Sequence, residues 1–339
     1  MAVPPERATL EVVAARAGVS RATASRVLRG APRVSARTRD AVLRAAQEMA
    51  YVPNQAARAL ATRRADAVAF VVAEVEDRLF SDPFFLPVMR AAQAETMAAG
   101  RQLTFVVAST AGQAAQFEQY AAAGHVDAVL LVSLHGVSSL PRRLEAAGVP
   151  TVLAGRPLSG ADELSWVDVD NAGGAAQAAR LLIERGCRHP VTVAGPSDMS
   201  AGRDRLAGFR DALAAAGATL SDDDVAIADF TAGGAEAAMA LLVGRRPELD
   251  AVFVASDLMA RGALRALRSA GRSVPDDVAV VGFDDSPEAA LSRPSLTSIR
   301  QPLDELGRAM ARLASARIDE RDTARHLVLP TDVVRRESA

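Results

Sequence analysis

The run Ala17-Gly18-Val19-Ser20-Arg21-Ala22-Thr23-Ala24-Ser25-Arg26-Val27-Leu28-Arg29-Gly30, "AGVSRATASRVLRG", decides how the rest of the chain is read. It sets glycines, hydroxyl residues and three arginines among small apolar residues. Ser20 can cap a helix running to Leu28 or Arg29, which Gly30 ends, and Gly18 suits the left-handed residue of the turn before it. Upstream, Thr9 can cap a helix through about Ala17, with Leu10, Val13, Ala14 and Ala17 at helical spacing. Downstream, Ser35 can cap a third helix over roughly 36–50, with Val42, Leu43, Ala46 and Met49 on its apolar face. Helix, glycine turn, helix is the plan in which a second helix enters the major groove of DNA. That helix would present Arg21, Ala22, Ser25 and Arg29 outward and pack Val19, Ala24, Val27 and Leu28 inward. Taken alone, the pattern also admits an ordinary surface helix with solvated arginines.

Charge separates the readings further. Every fixed positive side chain is an arginine, since the chain has no lysine; this excludes a phosphate-loop lysine and a Schiff-base lysine. Residues 1–65 hold 12 arginines against 4 acids, a net of +8, and the remainder holds 27 against 37, a net of −10. A basic head on an acidic body reads as an arm for a polyanion. One cysteine, Cys187, excludes an internal disulfide framework and fits a reducing cytoplasm. The histidines His125, His135, His189 and His326 lack metal-ligand spacing, and neither a metal nor a cofactor is expected. The opening residues carry acids and no apolar core, which argues against a signal peptide, and no apolar run is long enough to span a membrane.

After Tyr51-Val52-Pro53, a short segment capped by Asn54 reads as a helix too short to stand alone in water. From Ala67, short apolar runs alternate with alanine-rich helical stretches. Residues 67–73, 102–108, 126–132, 149–155, 190–195, 250–256 and 277–283 read as strands of parallel, doubly wound sheet. They are too many for one comfortable sheet. Two similar lobes are expected, with a break near Gly160–Ser165.

The segment "TLEVVAARAGVSRATASRVLRGAPRVSARTRDAVLRAAQEMAYVPNQAARAL" resembles the head of lactose-repressor (LacI) family transcription regulators. The likeness continues through "VDVDNAGGA", "AGPSDMSAGRDRLAGFRDAL", "VASDLMARGALRAL" and "VVGFDDSPEAALSRPSLTSIRQP" to "VVRRES". It covers essentially the whole chain in order. The resemblance implies an all-α helix-turn-helix head over 1–53 and a hinge helix and linker over 54–65. It also implies an α/β effector-binding and dimerisation body over 66–339, similar to periplasmic sugar-binding proteins. The first lobe is placed at about 66–162 and 292–326, the second at about 166–288 and 327–339.

Carried over by position, the resemblance implies that Arg21 and Ala22 read bases. Thr23, Ser25, Arg26 and Arg29 are neighbouring base or phosphate contacts. Leu10, Ser20, Ser35, Thr38, Tyr51 and Asn54 grip the DNA backbone. Leu60, flanked by Ala57 and Arg58, stands where the hinge leucine wedges into the minor groove. Ala22 departs from a longer polar reader, since its methyl can touch thymine but cannot hydrogen-bond, which shifts specificity toward Arg21. In the cleft between lobes the matching effector contacts are Arg203, Phe230, Ser256 and Asp284, with Asp82, Phe84, Phe85 and Ser133 added from the first lobe. Carboxylate, guanidinium and aromatic face suit a sugar, and Asp285 beside Asp284 is the candidate for a capping role.

These readings lead to a cytoplasmic transcriptional repressor that binds a near-palindromic double-stranded DNA operator as a homodimer and is released by a small sugar or glycoside. No leucine heptads for a tetramer-forming coil occur near residue 339. A corepressor-dependent or protein-co-regulated family member is the nearest alternative. Other classes fit poorly. "AGPSDMSAG" lacks the closing glycine of a serine elbow, and "DNAGGA" lacks a full dinucleotide fingerprint, so an enzyme is not expected. A periplasmic sugar receptor would need a signal peptide and has no use for a basic head.

Overall fold

The computed structural model describes residues 8–28, 34–51, 64–321 and 325–339. The chain forms two compact units, residues 1–65 and 66–339.

In the head, α1 (Leu10–Arg16), α2 (Arg21–Leu28) and α3 (Ala36–Glu48) pack around Val13, Ala14, Ala24, Val27, Val42, Ala45 and Ala46. Thr9 and Ser35 accept from the Val12 and Thr38 backbone N–H groups, satisfying donors that a helix start leaves orphaned. Ser20 does the same for Thr23 at 3.2 Å. Gly18, at φ 67°, closes α1: its N–H donates to Ala15 O, and that of Val19 donates to Ala14 O. This paired closure reverses the chain within two residues and sets α2 across α1. One core expectation fails. Leu43 is 47% exposed, and Ala45 takes the inward position, because the buried stripe of α3 runs through 42, 45, 46 and 49.

The body contains two sheets of six strands. The first is ordered β2-β1-β3-β4-β5-β11, from β1 (Ala67–Val72), β2 (Gln102–Val107), β3 (Ala128–Val132), β4 (Thr151–Ala154), β5 (Ser165–Val169) and β11 (His326–Leu329). The second is ordered β7-β6-β8-β9-β10-β12, from β6 (Pro190–Ala194), β7 (Val225–Ile227), β8 (Ala251–Val254), β9 (Ala279–Asp284), β10 (Thr297–Arg300) and β12 (Asp332–Val334). All pairings are parallel except β10 with β12. The central strands are buried on both faces by helices, which is why they read as unbroken apolar runs.

The helices that position the site are α4 (Glu76–Ser81), α5 (Phe85–Ala98), α6 (Ala111–Tyr120), α7 (Leu140–Ala146), α8 (Asn171–Glu184), α9 (Ser200–Ala215), α10 (Ala232–Arg245), α11 (Asp257–Ser269), α12 (Pro287–Leu291) and α13 (Leu303–Ile318). The strand pairing corrects the expected lobe limits. Residues 165–169 form β5 of the first sheet, so the chain first crosses at Asp170 rather than at 160–165. It returns after β10, which belongs to the second sheet, and α13 then packs on α5 in the first lobe. It crosses a third time between β11 and β12.

Candidate DNA-reading helix and effector cleft

On α2, Arg21, Ala22 and Arg26 are exposed and Ser25 is half-buried, whereas Ala24 and Val27 are buried. Arg21 Nε lies 2.8 Å from Glu11 of α1, an exposed pair that holds the side chain without burying it. Thr23 is half-buried, its Oγ1 2.9 Å from Ser20 Oγ, and Thr38 stands likewise 2.8 Å from Ser35 Oγ. Leu10 and Tyr51 pack partly against the head core. Arg29, Asn54, Ala57, Arg58 and Leu60 lie outside the described residues. The described face is therefore an exposed row of guanidinium and hydroxyl groups on a helix held by a tight turn, a form suited to phosphates and base edges.

In the body a cavity that opens to solvent lies between the lobes at the C-terminal ends of both sheets. Of the expected effector residues, Asp82, Phe84, Ser133, Phe230, Ser256 and Asp284 line it, and two do not. Phe85 is buried in the first lobe's core. Arg203 is exposed and donates to Ser197 O at 2.6 Å. The guanidinium in the cavity belongs to Arg205. The helical period held the signal: the inward face of α9 carries Gly202, Arg205, Gly208, Phe209 and Leu213, and position 203 falls outside that stripe.

Arg205 is fixed from the second lobe. Its Nε donates to Asn171 Oδ1 (2.8 Å), its Nη1 donates to Ala255 O (2.6 Å) and stands 3.7 Å from Asp284 Oδ1, and its plane stacks 3.7 Å from the Phe283 ring centre. Gln301 donates to the same Asp284 oxygen at 2.5 Å. Burial pushes the Asp284 carboxyl well above its ordinary range against the pull of Arg205, and burial also lowers Arg205. Asp82 and Asp168 are raised by burial as well. Ser256 caps α11 by accepting from Met259 N (3.1 Å). Asp285 is not a cap; its carboxylate is held by Arg300 and Arg336 at 2.7 and 2.5 Å.

The first lobe contributes a second guanidinium that the sequence reading missed. Arg78 of α4 pairs with Glu74 and lies over the Phe230 ring at 5.1 Å. Its Nε is buried without a hydrogen-bond partner, Asp82 Oδ2 being 3.8 Å away. Phe230 (φ 60°), Ser133 (φ 60°) and Asp284 (φ 118°) hold left-handed backbone, and all three line the cavity. Strained residues gathered at strand ends mark a place where geometry serves binding rather than stability. Among the described residues, no cluster of His, Cys, Asp or Glu could hold a metal, and no helix is long and apolar enough to cross a membrane.

A helix-turn-helix head and a two-lobed body with a polar, aromatic-floored cleft define the class of ligand-responsive DNA-binding regulators. The comparisons specify it. Residues 9–54 match the profile of bacterial regulatory proteins of the lacI family, and residues 179–339 match a periplasmic binding protein-like domain. The HTH-type transcriptional regulator CelR of Thermobifida fusca is 48% identical over 334 residues, 98% of either chain. The ribose operon repressor of Halalkalibacterium halodurans is 32% identical, covering 97% of this chain and 96% of that one. A solved complex of the regulator CelR with cellobiose superposes with a TM-score of 0.79 at 46% identity, over 98% of this chain and 100% of that one. The chain belongs to the LacI family of transcriptional regulators.

Proposed function

We propose that the protein is a cytoplasmic repressor that binds a near-palindromic operator as a homodimer and is released by a β-linked disaccharide of the cellobiose kind. The observation that carries the effector class is the cleft. Arg205 with Asp284 and Arg78 with Asp82 offer donors and acceptors from both lobes, and Phe230 offers a flat face for the apolar side of a pyranose. The likeness to the CelR–cellobiose complex supports the same class.

Two protomers would place their α2 helices in successive major grooves, with Arg21 reading bases and Leu60 of the paired hinge segments wedging the minor groove. Effector binding closes the lobes, shifts the spacing of the first lobes and disfavours hinge folding, so the two sites are linked. The test is fluorescence anisotropy of the full chain on DNA from upstream of its own gene, with and without a panel of mono- and disaccharides including cellobiose. Release by cellobiose supports the reading. Tight binding indifferent to every sugar overturns the effector class and leaves the DNA-binding role. Leu60→Ala should weaken operator binding strongly while leaving sugar affinity nearly unchanged; equal loss of both would refute this division of labour.

A further inference from the structure

His135 sits at the mouth of the cleft, in the loop after β3, half-buried and outside the set of residues that line the cavity. Its Nε2 lies 3.1 Å from Glu74 Oε2, in the loop after β1 of the same lobe. Its Nδ1 lies 3.0 Å from Asp198 Oδ2, in the loop before α9 of the other lobe. Beside it, the Gly136 N–H donates across the cleft to Asp198 O at 2.8 Å. A neutral imidazole has one N–H and can satisfy only one of two carboxylates; the other would face a lone pair. The imidazolium satisfies both with charge-assisted bonds.

We propose that His135, as an imidazolium, is the latch that couples closing of the cleft to effector binding, drawing the second lobe's Asp198 against the first lobe's Glu74. The inference rests on the reading that a small-molecule effector closes this cleft. Arg78 of α4, with Nη1 3.4 Å from Nε2, opposes protonation, but it shares Glu74 with the ring, and the Glu74 oxygen is closer. Arg203 donates to the Ser197 carbonyl beside Asp198, and Asp82 stands behind Arg78. Glu74 also accepts from Ser133 Oγ (3.1 Å) and from the Val75 N–H (3.0 Å), so it is a fixed anchor rather than a mobile partner. The hydrogen bond to Glu74 raises the His135 imidazole above its ordinary value, and Asp198 adds to this while burial resists it. A group raised in the closed state favours that state at low pH and loses its contribution as pH rises through the raised value.

Cellobiose affinity of the full chain, measured by calorimetry, should therefore fall roughly tenfold from about pH 6 to about pH 8.5, the worth of one charge-assisted bond. Asp198→Asn should flatten that profile. With only four histidines in the chain, carbon-13 labelling of histidine resolves each ring by NMR, and His135 should titrate above ordinary histidine and drop in Asp198→Asn. A profile unchanged by Asp198→Asn, or a His135 ring titrating at or below the ordinary value with cellobiose bound, overturns the latch. If cellobiose binds at no pH, the sugar reading fails, and the ring titration of the unliganded chain decides the latch: a His135 that titrates at or below ordinary histidine, or that Asp198→Asn leaves unmoved, overturns it.

Discussion

Arg205 keeps a full charge in a place where water scarcely reaches it, 6% exposed among Asp284, Asp168 and Asp82. Burying a guanidinium is costly, and a pair of this kind is weak evidence for stability. Its use lies in a rigid fork held by Asn171 and the Ala255 carbonyl, ready to donate to ligand hydroxyls without reorganising. Arg205→Gln should accordingly weaken binding of the proposed disaccharide by roughly 30-fold or more, the cost of removing a buried, hydrogen-bonded guanidinium from the site. Arg203→Gln should change it by less than about twofold, because Arg203 holds only a surface carbonyl. Calorimetry on both variants distinguishes them, and equal losses would mean that the two arginines share the site. A second buried carboxyl makes a different prediction. Asp257 accepts from Ser298 Oγ (2.6 Å) and the Ser286 N–H (2.7 Å), and burial lifts it from 3.8 to about 7. Raised above its unfolded value, it favours the fold at low pH and loses that contribution as pH climbs through 7. The Tm deficit of Asp257→Asn should therefore shrink from about pH 5 to about pH 8. A constant deficit would mean that the carboxyl is ionised throughout.

Helix pairs in the body approach at glycines. A Cβ on Gly307 of α13 would lie 2.2 Å from the Val88 carbonyl oxygen of α5, and backbone cannot step aside as a side-chain tip can. Gly307→Ala should cost about 1–3 kcal/mol by overpacking, read from the urea midpoint of unfolding. Gly233 of α10 has nothing within 4 Å, and Gly233→Ala should be neutral or stabilising by up to about 1 kcal/mol. The same scale shows what the sequence discloses. Strands β1, β3 and β8 announce themselves because both faces are covered and every position can be apolar. β5, "SWVDV", hides because its Asp168 turns toward the cleft, where it binds the backbone N–H groups of Arg156 and Val169. β7 and β12 have three residues each, too few for any period to register. The family pattern named six of the side chains that line the cleft, Asp82, Phe84, Ser133, Phe230, Ser256 and Asp284. Arg78 was not legible, since nothing in "EDRLFS" says that one turn of helix will aim its arginine inward.

At the scale of the molecule, charge is divided by unit: +8 over residues 1–65 and −10 over the rest. Operator binding should thus fall by roughly 10³-fold or more between about 50 and about 200 mM salt, as arginines exchange phosphates for counterions. Sugar affinity should stay nearly constant over that range, because the proposed ligand carries no charge and the charges of Arg78, Asp168, Arg205 and Asp284 that line the cleft are buried. Parallel losses in the two titrations would place the ligand among anions such as sugar phosphates.

The three crossings between lobes have a consequence for how the protein comes into being. Each sheet takes an edge strand from the last stretch of chain, β11 at 326–329 for the first lobe and β12 at 332–334 for the second. On the ribosome, therefore, the first lobe cannot close its sheet while the second is being made; it waits, one edge open, through the synthesis of its neighbour. The head, whose three described helices end by residue 48, faces no such delay. A nascent chain would thus carry a folded DNA-reading head well before its sugar cleft exists.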